Sequence, residues 1–537
     1  MSQVILAYLE RSWSELRTLP VPAIASLLLL VPVFAVLLDY SRVLWLRRRL
    51  PPGPLPVPIF GHYFITPKKK PWVTWEKWAK DYQSPLITIW NGHRPCIVCN
   101  DAWAASDLME KRAATYSSRP LMPSMGDMID STDSNQVCLE YGEKWRLHRR
   151  LIHTAVGSQA VRDYQQFQSN EGILLMRDLL QQPDNYELCI ERYSVSVASI
   201  IGWGRRINKI NDPVAQAALA IMEGVDLVVP CNQMTEIIPW LINVPKFIWA
   251  YPSIVKLGAK MGKEYFYRLT EEAVHRSDNY AKRLMTEAST KELSEAEIAS
   301  LTSNLIGGGV DTTSSSIISF VLAMCVFSEV QEKAQKEIDD HLGGRCPTIH
   351  DQDSLPYISA VVQEVLRWRT VTILGGIPHA PIKDDVYMDY HIPKGTGIYG
   401  NVWAIHRHPR EFPAPDSFRP ERFINHERPY PVKKGHNAFG WGRRQCSGQP
   451  LAEQGLFMII SRMLWSFHIK PGLNEKGREV TLDIFAFNDS ENMRPLPFKA
   501  RFVPRSPQIQ DQIMADAKMA REELRRYDGE THISPTM

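Results

Sequence analysis

Residues 294–327 read as one uninterrupted helix, and a chain that must house such a rod is restricted to a large, mainly α fold. Ser294-Glu-Ala-Glu297 has the form of a capping box that opens it. At ~1.5 Å of rise per residue the run spans roughly 50 Å, enough to cross a whole domain. In its middle stands Gly307-Gly308-Gly309-Val310-Asp311-Thr312-Thr313. Three glycines inside a helix cost roughly 1 kcal/mol each against alanine. A local reason for accepting that cost is a groove, opened where side chains are missing, beside threonine hydroxyls that loosen the helical hydrogen bonding. The bland alternative is a flexible kink.

Helical periodicity dominates between about 102 and 370. A helix is predicted over 72–82. Two short strands follow at 85–90 and 94–99, joined at Asn91-Gly92, a strong hairpin signal. Ser328-Glu-Val-Gln331 is expected to cap a helix to 342, another helix covers 357–369, 370–380 reads as a strand, and 403–409 as a short helix. His406 and His408 are read as surface and packing residues. The fold class is mainly α with small β-sheets at one side.

A second constraint lies near the C-terminus, in Phe439-Gly-Trp-Gly-Arg-Arg-Gln-Cys446-Ser-Gly448. Glycines leave one thiol in a backbone with little bulk around it, suited to a large flat ligand pressed against the chain. Gly440 and Gly442 permit tight turns, and Arg443 and Arg444 supply positive charge expected to favour the thiolate. The bland reading is a buried structural cysteine. The eight cysteines are spread thinly and form no disulfide framework. Cys96-x-x-Cys99 has no second pair and sits in an apolar strand, against zinc or redox use. Net charge is +3, which gives no case for a nucleic-acid partner. Trp145 and Arg149, four apart, lie on one helix face and can reach one anion. Arg146, His148 and Arg150 extend a basic patch around them. Glu364 and Arg367 are spaced to pair, and Pro420-Glu-Arg422-Phe423 follows.

Phe439, Gly440, Gly442, Arg444, Cys446 and Gly448 match FGxGxRxCxG, Gly308 to Thr313 match (A/G)-G-x-(D/E)-T-(T/S), and ExxR and PERF stand in order between them. In these motifs the chain resembles the cytochrome P450 superfamily over nearly its whole length. The resemblance implies haem b with Cys446 as axial thiolate ligand, in a loop that Phe439 and Gly448 bound. It implies Trp145, Arg149, His379 and Arg444 at the haem propionates, and Asp311 and Thr312 as the residues that organise protons for O2 activation. Glu364, Arg367 and Arg422 would form a structural network holding the cysteine loop. Neither half of the chain has a flavin or nicotinamide fingerprint. Electrons from NADPH are therefore expected through a separate reductase, with cytochrome b5 as a further donor. Its dock would be the basic face of Arg146, Arg150, Lys433, Lys434 and Arg443. Pocket walls are expected at 121–128, 227–234, 305–309, 372–377 and 485–487, largely apolar. The chain also resembles fungal secondary-metabolite members, in particular the O-methylsterigmatocystin oxidoreductase-like group and hydroxylases of m-cresol and related aromatics. That implies hydroxylation of a polyketide-derived aromatic. Two rivals are a haem-thiolate isomerase or dehydratase that needs no O2 and a non-catalytic membrane haem-binding protein. Asp311 and Thr312 argue against both.

Residues 21–38 carry no charge, the short end of the range for a membrane-spanning helix. No small-residue cleavage site follows, so a signal anchor is favoured over a cleaved signal peptide. Arg42 and Arg47-Arg48-Arg49 outweigh Arg11 and Arg17, placing the bulk of the chain on the cytosolic side. Leu50-Pro-Pro-Gly-Pro54 is a stiff connector, an arrangement similar to microsomal P450s. The expected organisation is a short luminal segment 1–20, an anchor 21–38, a basic and Pro-rich linker 39–65, a haem domain 66–505 and a charged tail 506–537 outside the core. The expected location is the endoplasmic reticulum membrane, single-pass, with the catalytic domain in the cytosol and a lipophilic small molecule as substrate.

Overall fold

The computed structural model describes residues 21–533 except 227, 229–232, 288–289 and 425–428, so the expected segment 1–20 lies outside the described residues. The central element is the helix Glu295–Val326. Its capping box is present: Glu297 N–H donates to Ser294 Oγ at 3.3 Å, and Ser294 N–H to the Glu297 carboxylate at 3.0 Å. Most of its residues are buried, packed against helices Tyr186–Trp203, Ala250–Ala273 and Gln449–Ser466. The three glycines do not break it. A Cβ at Gly308 would touch nothing within 4 Å, and one at Gly309 would sit 3.3 Å from Ala198 Cβ. The groove is therefore widest at Gly308.

The small sheets lie where expected. Leu86–Asn91 pairs antiparallel with Arg94–Cys99 through a turn in which Gly92 has φ 64°. Gly397–Gly400 adds a parallel third strand. Cys96 and Cys99 are buried free thiols, and burial pushes Cys96 up to about 11, far from a reactive thiolate. Two-stranded ribbons form from Asp385–Tyr387 with Tyr390–Ile392 and from Phe467–Pro471 with Ala500–Pro504.

Three expectations need correction. Residues 370–380 make only isolated bridges, because Gly375 and Gly376 take φ of 70° and 83° and turn the chain. Ser328 does not cap: it is the first residue of helix Ser328–Leu342, and Phe327, where the chain bends out of the long helix, takes the N-cap place. The described part of the expected tail, 506–533, is not an appendage. Its helix Pro507–Glu523 packs on Gln165–Gln181, and Ile513, Ala517, Ala520 and Leu524 belong to the main core. Glu523 accepts hydrogen bonds from Gln166 and Asn170, both at 2.8 Å. Small apolar residues on one face of a highly charged helix disguised this burial in the sequence.

At the other end, helix Val21–Arg47 continues past the expected anchor, so Arg42 and Arg47 lie within it and not in a linker. Val43 and Leu50 are buried with Trp90, and Tyr40 Oη donates to Pro56 O at 2.9 Å. Leu30, Val31, Val33, Phe34, Leu37 and Leu38 are between 55% and 67% exposed, a large apolar surface with no protein against it.

Ile513→Asp should lower stability by about 3 kcal/mol or more, since a buried side chain is lost and an unpaired carboxylate is buried in its place. The exposed control Lys518→Asp should change the thermal midpoint little. Thermal unfolding followed by circular dichroism measures both.

Candidate functional site

The cysteine loop is held by close approaches that only glycine allows. Gly442 has φ 53°, and a Cβ there would lie 2.2 Å from Met109 O; one at Gly400 would lie 2.1 Å from the ring of buried Trp441. Cys446 N–H donates to Phe439 O at 2.9 Å, closing the turn. Gly448 then leads into helix Gln449–Ser466. The loop borders an internal cavity of about 400 Å³, with Phe439, Cys446 and Gly448 on one side and Gly308, Gly309 and Thr312 of the long helix among the walls. The Cys446 thiol is exposed into this cavity while lying deep within the protein. Burial pushes it up, against the N–H groups of Gly448 and Gln449 and the charge of Arg149. Arg149 is therefore the cation acting on the sulfur, and the expectation that Arg443 and Arg444 favour the thiolate is corrected. Arg443 is exposed, its guanidinium on the Tyr141 ring, and Arg444 turns to backbone carbonyls.

Helix Glu143–Val156 presents Trp145 and Arg149 to the same cavity. Arg149 donates to Ser447 Oγ and Gln445 O, both at 2.5 Å. Arg444 donates to the carbonyls of Ser117, Gln136 and Leu139 at 2.7, 3.2 and 2.6 Å and stacks 4.6 Å from the Trp145 ring. Arg119 also lines the cavity and donates to Ile377 O at 2.6 Å, Pro378 O at 2.9 Å and Val137 O at 2.8 Å. Among the described residues, none of the hydrogen bonds of Arg119, Arg149 or Arg444 goes to a carboxylate. Burial, then Arg119 and Arg149, bring Arg444 down to about 8; burial brings Arg119 down to about 10. A guanidinium keeps its proton at neutral pH, so the cluster holds positive charge that an anionic ligand would relieve. His379 donates through Nδ1 to Tyr116 O at 2.9 Å, since a carbonyl can only accept, and burial followed by Arg119 lowers its pKa to about 3. Its Nε2 therefore carries no proton at neutral pH, and an anion beside it would favour one there.

The remaining residues sort as follows. Thr312 faces the cavity and donates to Gly308 O at 2.6 Å. Asp311 is not on the cavity wall: helical pitch turns it aside, where Ser315 Oγ donates to its carboxylate at 3.4 Å. Glu364 accepts two hydrogen bonds from Arg367, at 2.9 and 2.6 Å, and lies 3.5 Å from Arg422; Glu364 and Arg367 are wholly buried. Arg367 and Arg422 hold the carbonyls of Pro415, Pro413 and Ala414, each at 2.7 or 2.8 Å. His406 is buried, not at the surface. Its Nε2 accepts from Asn437 N–H at 2.9 Å and its ring bonds Thr370 Oγ1 at 2.7 Å, tying the approach to the cysteine loop down. His148 is likewise removed from the basic patch. It is buried 2.9 Å from Glu297, which stays ionised down to about 2: burial opposes ionisation, but the Ser294 N–H and His148 outweigh it.

Of the expected walls, 305–309 and 372–377 supply lining residues and 485–487 do not. Segment 121–128 packs instead through Met122, Met125 and Met128 on Val228, with Ser124 N–H on the Glu236 carboxylate at 2.8 Å. Much of 227–234 lies outside the described residues. Sequence reasoning missed Arg119, because only the chain's return past Ile377 brings it to the cavity. Ser118-Arg119-Pro120 carries no spacing signal of its own.

The family described as Cytochrome P450 matches this chain over residues 51–491. The chain is 32% identical over 505 residues to the cytochrome P450 monooxygenase fogE of Aspergillus ruber, covering 90% of this chain and 92% of that protein. It is 32% identical over 504 residues to a tryptamine 4-monooxygenase of Psilocybe cyanescens, covering 90% and 98%. It is 32% identical over 484 residues to the cytochrome P450 monooxygenase virE of Hypocrea virens, covering 86% of each.

The buried cations fit the two carboxylates of haem. Arg119→Leu should leave the fold intact but speed haem loss to apomyoglobin about tenfold or more, the worth of one charge-assisted hydrogen bond. Unchanged transfer would remove Arg119 from the anion site.

Proposed function

The chain belongs to the cytochrome P450 family, and from that premise we propose that it hydroxylates a lipophilic, polyketide-derived aromatic in fungal secondary metabolism, with Cys446 as the haem ligand. As a P450 monooxygenase it works with haem, O2 and electrons derived from NADPH. The observation that carries the site assignment is one thiol sharing with Gly308 and Thr312 a cavity edged with arginines that hydrogen-bond no carboxylate among the described residues. Bound haem supplies O2 activation and insertion of oxygen into a C–H bond. The chain's own residues bind, orient and protonate. Arg119, Arg149, Arg444 and the Trp145 indole hold the propionates, while His379 takes up a proton beside them. The backbone N–H groups of Gly448 and Gln449 and the charge of Arg149 favour sulfur in its anionic form. The missing side chain at Gly308 leaves room for O2. Thr312 Oγ1, held on Gly308 O, is the hydroxyl placed to pass a proton there. Asp311, one residue before, would supply that proton from the far side of the helix. The buried network of Glu364, Arg367 and Arg422 keeps the cysteine loop in place.

Electrons would come from a membrane-bound NADPH-cytochrome P450 reductase, with cytochrome b5 as a further donor. Arg146, Arg150, Lys433 and Arg443 are exposed, Arg146 and Arg443 both against the Tyr141 ring, and Lys434 pairs to Glu453 at 2.9 Å, which supports a basic dock for the reductase. The exposed apolar side chains of helix Val21–Arg47 support a single anchor in the endoplasmic reticulum membrane with the catalytic body in the cytosol. A relative named for oxidation of tryptamine, a small aromatic, supports an aromatic substrate class.

Reconstitution with NADPH-cytochrome P450 reductase and a panel of aromatic polyketides tests the reading. One 18O atom from 18O2 should appear in each product, and turnover without O2 would contradict it. Thr312→Val should bind the same compounds yet make ~10-fold less product per NADPH, the electrons leaving as hydrogen peroxide. Unchanged coupling would move proton delivery elsewhere.

A further inference from the structure

Besides Thr312, Thr313 and Ser316, the long helix presents a further polar side chain to the cavity. Asn304 stands two turns before Thr312, about 12 Å along the axis, and lines the same cavity. Its amide orientation follows from a chain of hydrogen bonds. The backbone N–H of Val137 can only donate, and it lies 3.0 Å from Asn135 Oδ1. That atom is therefore the oxygen, so the group 2.9 Å from it must be the Asn304 amide nitrogen. Asn304 Oδ1 is left as a fixed acceptor, with no hydrogen-bond partner among the described residues. Three other lining polar groups are engaged: Ser316 Oγ donates to Thr312 O at 2.8 Å, Thr370 Oγ1 to Leu366 O at 2.6 Å, and Gln168 Oε1 accepts from Gln454 at 2.6 Å. The Ser194 hydroxyl, on the neighbouring helix Tyr186–Trp203, has no partner among the described residues but can turn to donate or accept, whereas Asn304 Oδ1 is held as an acceptor only.

We propose that Asn304, oriented by Asn135, is a specificity-determining residue that accepts a hydrogen bond from a phenolic O–H or an N–H of the substrate. The inference rests on the reading of the chain as an aromatic hydroxylase. A ligand anchored there while its reacting carbon lies level with Gly308 and Thr312 must bridge one to two helical turns, roughly 6 to 12 Å. The substrate class narrows to aromatics of two or more fused rings, with the donor at the end remote from the oxidised carbon. A buried acceptor left unanswered by a donor-free ligand costs binding, which gives the site its discrimination.

The test uses the full-length holoenzyme in membranes, with 2-naphthol and 2-methoxynaphthalene titrated by the change in haem spin state. The parent should bind 2-naphthol about tenfold more tightly, the worth of one good hydrogen bond. Asn304→Leu should bring the two probes within about twofold of each other, and Asn135→Ala should reduce the preference part-way. No preference in the parent, or an undiminished one in Asn304→Leu, overturns the proposal. If Asn304→Leu fails to load haem, an undiminished preference in Asn135→Ala overturns it instead. O2-dependent hydroxylation of aromatics by a parent that shows no such preference would leave the functional reading standing and sink only this inference.

Discussion

Positive charge buried without a carboxylate hydrogen-bonded to it is the constraint from which the site follows. Arg119, Arg149 and Arg444 hand their hydrogen bonds to backbone carbonyls and one serine hydroxyl around a single cavity. Carbonyl dipoles lower the cost of burying a guanidinium but do not cancel its charge. The folded chain therefore presents an anion site before any ligand arrives, and the same charges reach the cysteine sulfur through Arg149. A flat, doubly anionic ligand bound through a thiolate satisfies both demands together.

The rest of the fold keeps those groups in register. Glu364, wholly buried, is shared by Arg367 and Arg422, and through them fixes the carbonyls of 413–415. Removing one member of such a set leaves a buried charge without its partner, so the three behave as a unit. His406 ties the next stretch by accepting from Asn437 N–H. Opposite them the long helix accepts its glycines because tertiary packing, not propensity, sets its stability. The opening at Gly308 and the hydroxyl of Thr312 are what that arrangement leaves on the cavity shared with the thiol.

Much of this was legible in the sequence where chemistry forces local spacing. The glycines around Cys446, the capping box at Ser294, the hairpin at Asn91-Gly92 and the Glu364 pairing each depend on residues close together in the chain. What escaped depends on contacts between distant segments. Arg119 reaches the site only through Ile377, and the tail is core only because helix Gln165–Gln181 lies beside it. Asp311 stands off the wall that Thr312 occupies because one step along a helix turns a side chain by about 100°. Residues 370–380 looked like a strand because apolar residues flank Gly375 and Gly376, whose positive φ decides otherwise.

Ligation by the Cys446 thiolate is the claim on which the whole account turns, and the carbon-monoxide difference spectrum of the dithionite-reduced protein measures it most directly. The account predicts a strongly red-shifted Soret band in the parent that is lost in Cys446→Ser. An unshifted, histidine-like band in both proteins would mean that this thiol does not hold the iron.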